Sequence, residues 1–429
     1  MEREIKERLN NRIFLAIRDV SRKRRESIYL VGGYIRDWWL NRESIDYDFC
    51  VKGKCLEFSR YVAKILSGNF VLLDKENETS RVICKIGKQV IELDFTKLKA
   101  KDIVSDLRLR DFTINSIAID LNSFKIIDPL GGLEDLKAKI IRTVSDKVLA
   151  DDPLRMLRAV RLSCELDFKI TSSTWNYILK HSQLIKDVAR ERITNELFLI
   201  LSHKNSYRYI IYLHKLGLLG KIIPEVKKDS LRHLKWLEDI IDNIEQFGAY
   251  SLPIRGYLEE IAGSNHTRLA NLKLISFLYP LGVSKIEEIY RNLKLSGAEI
   301  RLMRSVVRNF SLPEELSALQ VVPSKKQNSF FRKAGDEVFS ILILFLANSE
   351  NKAIFTERYQ FVKEMIKGYF NLPKISPPLL KGKDLIENFG LKEGPIIGHL
   401  LKKVNRTFIE GEIDTKEEGL EMVKRLLKD

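Results

Sequence analysis

Apolar residues in the first stretch of the chain fall at Ile5, Leu9, Ile13, Ile17 and Val20, a helical spacing that predicts one amphipathic helix over 1–25. The pattern then changes period. SIYLVGG (Ser27–Gly33) reads as a buried strand running into a glycine turn, and IRDWWL (Ile35–Leu40) as the opening of a short helix. YDFCV (Tyr47–Val51), NFVLL (Asn69–Leu73), RVICKI (Arg81–Ile86) and QVIELDF (Gln89–Phe95) are β-branched and aromatic runs of strand length, with a helix expected between Leu56 and Leu66. After Ser145 strand signals vanish and helical periodicities continue to about residue 370, broken near Gly217–Gly220, Pro253–Gly256, Pro280–Gly282 and Pro313. A proline stretch, Pro373–Pro378, precedes a last segment, Leu379–Asp429. The expected class is α+β: a mixed-sheet head followed by an extended all-α body.

Composition narrows the partners. The 429 residues are 45% hydrophobic and 31% charged, as in a globular protein with a real core. The formal net charge is +15, and Lys and Arg recur along the whole chain, which points to a polyanionic partner. The four cysteines, Cys50, Cys55, Cys84 and Cys164, are few and irregularly spaced, which points to a reducing compartment and away from a structural zinc, and Cys50 and Cys55 read as core fillers. The longest apolar run, Phe339–Ala347, is too short to span a bilayer. Glu2, Glu4, Glu7 and Asp19 are unlike a secretory or transit leader, so the expectation is cytoplasmic, with no membrane partner.

The chemistry concentrates in three constellations. LVGGYIRD (Leu30–Asp37) places Gly32 and Gly33 after a strand, where the backbone can approach an anion without Cβ interference, and Arg36 follows as a fixed cation. DYD then offers Asp46 and Asp48 on one strand face, oxygen ligands suited to Mg²⁺. A third carboxylate comes from QVIELDF, where Glu92 and Asp94 share one face and Ile91, Leu93 and Phe95 the other; the plainer reading of that acidic pair is a solvated face. In LRDFTINSIAIDL (Leu109–Leu121), Arg110 can hold a triphosphate, while Asp111 and Asn115 can bond a ribose or orient the arginine. Asp128 of DPLGG reads as structural. In DDPLRMLRAVR (Asp151–Arg161), Asp152, Arg155, Arg158 and Arg161 recur every three residues along one helix face, without interleaved glutamates on that stripe.

In this order and at these separations, GG-x-x-RD, DxD, RDFTxN, DPxGGxxDLxxKxIR and DD-x-x-R-x-x-R-x-x-R resemble the bacterial class II tRNA nucleotidyltransferases and their poly(A) polymerase relatives. ARERITNEL (Ala189–Leu197) resembles the family's next helix motif, and the segment from Leu379 its tail. The resemblance implies a palm-like nucleotidyltransferase head at 1–140, a base-recognising neck at 141–205, a helical body at 206–372 and a tRNA-binding tail at 373–429. It implies that Gly32, Gly33, Arg36, Arg110 and Asn115 bind the nucleotide, and that Asp46 and Asp48 bind Mg²⁺, two ions, with Asp94 as third carboxylate and Glu92 as the alternative. Asp152 and Arg155 would read the incoming base, supported by Arg158 and Arg161. A carboxylate accepts from the exocyclic amine of C or A, and a guanidinium donates to ring acceptors; U and G present the opposite pattern.

The implied reaction is template-independent extension of a tRNA 3′ end, with CTP, and ATP where the final A is also added, and with pyrophosphate release. The implied partner is the acceptor arm and 3′ end of tRNA. Three departures stand out: Asp151 where the family has Glu, Leu109 in place of the first arginine of RRDFT, and a short stretch between Asp94 and Ser105. A longer loop there is associated in the family with the switch from C to A addition, so the short form resembles enzymes that add only CC and depend on a separate A-adding enzyme. Two rival readings are a poly(A) polymerase of the same fold and a non-catalytic RNA-binding protein. The second has no use for metal-binding carboxylates.

Overall fold

A computed structural model describes residues 2–371, 379–409 and 412–427; the proline stretch Pro373–Pro378 lies outside the described residues. The chain divides into two compact units, Met1–Glu196 with Tyr212–Ile222, and Leu197–Ile211 with Ile223–Asp429.

The first unit opens with two helices instead of the single one expected, α1 (Glu2–Arg8) and α2 (Arg12–Arg24). Asn11 makes the break: its backbone is extended, and its side-chain oxygen accepts from the N–H groups of Ile13 and Phe14 at 3.0 and 3.2 Å, capping α2. The chain continues as β1 (Ser27–Val31), α3 (Gly33–Trp39), β2 (Tyr47–Lys52), α4 (Cys55–Leu66), β3 (Asn69–Asp74), β4 (Thr79–Ile86), β5 (Gln89–Lys97), α5 (Ile103–Leu107), β6 (Ala118–Asp120), β7 (Ile126–Ile127) and α6 (Gly132–Ala138). The strands form one mixed sheet in the order β3-β4-β5-β2-β1-β6-β7. Only the central pair, β2 and β5, runs parallel.

Period-two alternation in that central pair separates chemistry from core. Phe49 and Phe95 stack at 5.0 Å on the apolar face. Phe14 of α2 meets Phe49 edge-on at 6.1 Å, and Phe58 of α4 meets Phe95 at 6.0 Å. Each of these rings is fully buried, a position where truncation to alanine costs about 3–5 kcal/mol. The intervening residues, Asp48 and Asp94, therefore face the opposite side of the sheet, away from the aromatic layer.

Strands do not vanish after Ser145 as expected. β8 (Ile140–Ile141) pairs in parallel with β9 (Lys169–Ile170), and between them lie α7 (Asp146–Asp151) and α8 (Leu154–Leu166). In the second unit Ile261–Gly263 pairs with His266–Thr267. Ribbons of two or three residues are too short to carry a hydrophobic period, which is why the sequence pattern is silent about them.

The second unit is otherwise helical. Pro253 and Pro313 stand in the first turns of Ser251–Glu259 and Ser311–Ser317, where a missing N–H costs nothing. Every residue of the apolar helix Val338–Ala347 is buried. The last helices, Gly382–Phe389, Pro395–Ile409 and Lys416–Leu426, share a small core of Leu380, Leu385, Ile397, Leu400, Val404 and Val423. Among the described residues no helix is long and apolar enough to cross a membrane. All four cysteines are buried and none is in a disulfide, which for Cys50 and Cys55 is the core-filling place expected of them.

Candidate active site

A cleft of about 450 Å³ opens in the first unit. It gathers Gly32, Gly33, Arg36, Asp46, Asp48, Arg110, Asn115, Asp152, Arg155, Arg158 and Arg161, eleven of the twelve residues that the resemblance gives as first choices for the metal and nucleotide sites. The twelfth, Asp94, stands beside Asp48 on the neighbouring strand: the parallel register pairs Asp48 with Asp94 directly.

The turn between β1 and α3 is built around Asp48. Gly32 has φ 77° and ψ −146°, a conformation essentially reserved for glycine. A Cβ at this position would lie 2.9 Å from Asp48 Oδ2. Gly32→Ala is therefore expected to combine backbone strain of about 1–3 kcal/mol with displacement of the carboxylate. Urea denaturation should show that loss, and the activity implied by the sequence resemblance should fall at least about 100-fold, the cost of a misplacement of this size at a reacting centre. A variant with unchanged turnover would show that the turn does not shape the site.

Carboxylate geometry separates the three acidic candidates. Asp46 precedes β2 by one residue and is exposed, its N–H donating to Ser44 Oγ at 3.3 Å. Burial, with help from the charges of Asp94 and Asp46, pushes the Asp48 carboxyl up to about 6. Both oxygens of Asp94 are engaged by Arg81 of β4, at 2.7 and 2.9 Å, and the same guanidinium also binds Glu92. Glu92 is half exposed and sits opposite Ile83 in β4, away from Asp48. Among the described residues no group of three or more His, Cys, Asp and Glu side chains stands in a metal-holding arrangement. The donor set nonetheless suits a hard cation. It is all carboxylate oxygen, and burial first, then the neighbouring like charges, raises the proton affinity of its central member, a cost that a divalent cation would relieve.

The basic wall is braced by a continuous polar chain. Arg36 forks onto Asp37 at 2.9 and 2.8 Å and donates to Asn115 Oδ1 at 2.9 Å. Asn115 Nδ2 donates to Asp111 Oδ1 at 3.1 Å, and Arg158 donates twice to Asp111 Oδ2, at 3.0 and 2.8 Å. Burial works to raise the Asp111 carboxyl, but the charge and hydrogen bonds of Arg158 outweigh it and hold the group below the usual carboxylate range. Arg161 donates to Glu196 and Glu165, both at 2.7 Å. The arginine stripe of α8 is thus not short of acidic partners, as its own sequence suggested. Asp111 and Glu196 come from other elements, and Glu165 lies one turn on.

Two arginines keep donors in reserve. Arg155 donates to the Val148 carbonyl at 3.0 Å and has no carboxylate partner among the described residues. Arg110 reaches Cys50 Sγ at 3.1 Å and Asp106 at 3.4 Å, while its Nε is buried without a partner among the described residues. Beside that guanidinium, burial pushes the Cys50 thiol up to about 12, so it stays protonated. Asp128 accepts from the N–H groups of Gly132 and Leu133 at 2.7 and 2.9 Å, the structural role its motif suggested.

Sequence reasoning assigned no role to Arg192, which also lines the cleft and binds Asp152 Oδ2 at 2.8 Å. Its signal was the ARERITNEL motif, whose second arginine it is. Asp37, Asp111 and Leu154 complete the lining.

The poly A polymerase head domain matches residues 28–142, the RNA- and SrmB-binding site of polymerase A matches 167–230, and tRNA nucleotidyltransferase domain 2 matches 268–423. A CC-adding tRNA nucleotidyltransferase of Geobacter sulfurreducens is 31% identical over 91% of this chain and 90% of its own. One from Synechocystis sp. is 29% identical over 93% of both chains. Among solved structures, the Thermotoga maritima CCA-adding enzyme complexed with tRNA-CCA superposes with a TM-score of 0.68, at 27% identity over 96% of this chain and 94% of that one. With a sheet that pairs Asp48 to Asp94, a cleft assembled from the ordered motifs, and a relative 31% identical over 91% of this chain and 90% of its own, the chain belongs to the bacterial-type tRNA nucleotidyltransferase family.

Proposed function

We propose that this nucleotidyltransferase adds CC to the 3′ end of tRNA from CTP and leaves the terminal A to a separate A-adding enzyme. The observation that carries the reaction class is the cleft itself, which Asp48 lines together with several arginines, with Asp94 next to Asp48 in register on the neighbouring strand. The choice of CC rests on the short connection from β5 to α5, which is only Leu98–Asp102, and is supported by the two CC-adding relatives. Neither a poly(A) polymerase nor a non-catalytic RNA-binding protein has comparable support.

In this reading Gly32, Gly33, Arg36, Arg110 and Asn115 hold the triphosphate and ribose. Mg²⁺, two ions held by Asp46, Asp48 and Asp94, would supply Lewis acidity to the attacking hydroxyl and the leaving pyrophosphate. The tRNA 3′-oxygen forms a bond to the α-phosphorus as the bond to the β-phosphate oxygen breaks, and the hydroxyl proton passes to a carboxylate oxygen at Asp48. For Asp94 to serve, Arg81 must yield part of its hold on that carboxylate. Asp152, in the link between α7 and α8, accepts from the exocyclic amine of cytosine, and Arg155 donates to its ring acceptors, with Arg158 and Arg161 fixing α8, which carries Arg155. The four-part division at 1–140, 141–205, 206–372 and 373–429, and a cytoplasmic location, belong to the same proposal.

Arg192 tests the base-reading part. The Arg192–Asp152 pair is half exposed, so losing it should cost less than about 1 kcal/mol of stability. Its function is orientation: Arg192→Gln should lower the preference for CTP over UTP by about 10-fold, the value of one weakened polar discrimination. Competition between the two nucleotides at fixed tRNA measures it, and an unchanged ratio would remove Arg192 from base selection.

The overall function is tested with three tRNA transcripts, lacking CCA, ending in C or ending in CC, each given Mg²⁺ and labelled CTP or ATP. Extension that stops at CC, with ATP refused, supports the proposal. Completion of all three to CCA would replace it with full CCA addition.

A further inference from the structure

Four adjacent strands set Val71, Arg81, Asp94 and Asp48 in one row: Val71 lies opposite Arg81, Arg81 opposite Asp94, and Asp94 opposite Asp48. Asp94 therefore stands between a cation and a second carboxylate. On one side Arg81 forks onto it, Nε to Oδ1 at 2.7 Å and Nη2 to Oδ2 at 2.9 Å. On the other side is Asp48, the central member of the proposed metal site. Like charges directly opposite each other on paired strands repel, and the Arg81 fork relieves this by neutralising one of them. The same fork makes Arg81 a competitor. A divalent cation shared by Asp48 and Asp94 meets the guanidinium as a like charge, so Arg81 has to loosen its hold for the site to fill.

The fold supplies a place for the displaced guanidinium. Glu92 lies two residues before Asp94 on the same face of β5, and Nη1 of Arg81 already binds it. Among the described residues the Glu92 side chain has no other hydrogen-bond or ion-pair partner. Arg81 is 34% exposed and Glu92 50%, so the guanidinium has room to turn about that contact. Val71, beyond Arg81 in the row, is apolar and offers no rival charge. A staple between β4 and β5 needs only one carboxylate. The second, bound to nothing else, is what a staple leaves unexplained.

We propose that Arg81 is the resident counterion of the empty metal site, that Glu92 retains it when a divalent cation takes Asp94, and that this pair sets the cation affinity of the enzyme. The proposal rests on the metal site of the function given above and adds the residues that tune it. Arg81 acts through Asp94, and Glu92 through Arg81; both are positioning residues. Removing the guanidinium removes the competitor, so affinity rises. Removing Glu92 takes away the alternative seat, so Arg81 stays on Asp94 and affinity falls. A structural staple gives the opposite sign for Arg81, because an Asp94 cut loose would bind a cation less well.

The experiment is Mn²⁺ binding to the full-length protein without nucleotide or tRNA, read from the paramagnetic resonance of the free ion. Asp48→Asn, which should abolish the binding, identifies the site measured. Arg81→Gln should tighten Mn²⁺ binding about 5-fold, the scale of one partly exposed ion pair that no longer competes. Glu92→Gln should weaken it. Arg81→Lys should fall between wild type and Arg81→Gln, since an ammonium cannot fork onto both oxygens. The double variant Arg81→Gln/Glu92→Gln should match Arg81→Gln alone, a non-additivity that follows only if Glu92 acts through Arg81. Should Arg81→Gln fail to fold, Arg81→Lys and Glu92→Gln give the same pair of opposite shifts. Mn²⁺ binding that is unchanged or weaker in the Arg81 variants, or tighter in Glu92→Gln, overturns the counterion role and leaves the metal site standing. A wild type that binds no Mn²⁺, or binds it equally as Asp48→Asn, overturns the metal site and the counterion role with it.

Discussion

Asp48→Asn should lower the rate of CTP addition at least about 1,000-fold while changing tRNA affinity no more than about three-fold. Asparagine preserves the size of the side chain and one oxygen, so the turn at Gly32 and the parallel register with Asp94 should survive. What is lost is the central charge of the proposed cation site, and cation chemistry of this kind is worth several kcal/mol; about 4 kcal/mol corresponds to the expected factor. Single-turnover addition and filter binding measure the two halves. A variant that keeps turnover within about 10-fold of wild type would remove Asp48 from the reaction. Stability should move the other way. The Asp48 carboxyl is pushed up to about 6 from its ordinary value, first by burial and then by Asp94. Its ionised form therefore works against folding. The stability lost to this charge is absent below an unfolded value near 3.8 and grows as pH rises through about 6. In EDTA at pH 7.5, Asp48→Asn should be more stable than wild type by an amount on the order of 1 kcal/mol. A group that destabilises the empty fold and is needed for turnover is one held in place for chemistry.

How much of this site is legible in the chain depends on whether a feature is local. Alternation along YDFCV and QVIELDF suffices to put Asp48 and Asp94 on one side and Phe49 and Phe95 on the other. It does not separate Asp94 from Glu92, because both occupy the same face of β5; only the register across to β2 places Asp94 beside Asp48. The arginines of α8 are visible from their spacing, but their partners are not, since Asp111 and Glu196 lie 47 and 35 residues away in sequence. The break between α1 and α2 was written locally, in the side chain of Asn11. It was outweighed in the sequence reading by an apolar period that continues through it. Arg192 was missed for the same reason as Asp111's second role: its significance is the carboxylate it meets across 40 residues, which no window along the chain contains.

Asp111 is where removal of one buried group should undo the most. It accepts from the Phe112 N–H at 2.8 Å, from Asn115 at 3.1 Å and twice from Arg158, and it is only 7% exposed. Asp111→Ala leaves Arg158 with Glu196 at 3.6 Å as its remaining carboxylate and releases Asn115, on which Arg36 leans. Breaking a buried pair by deleting one partner costs about 3–5 kcal/mol, and urea denaturation should show a loss of that size. The same deletion should lower kcat/KM for CTP about 100-fold, because Arg36, proposed to hold the phosphates, and the helix that carries Arg155, proposed to read the base, both lose their brace. Asp111→Asn, which keeps an acceptor but not the charge, should fall between the two. The pH dependence follows from the depressed carboxyl: its contribution is present above an unfolded value near 3.8 and is lost as pH falls through the lower folded value. The stability gap between wild type and Asp111→Ala should therefore be full at pH 7 and narrow below about pH 4. A gap that is the same at both pH values would mean that the charge on Asp111 does not hold the network, and that its neighbours are fixed by packing alone.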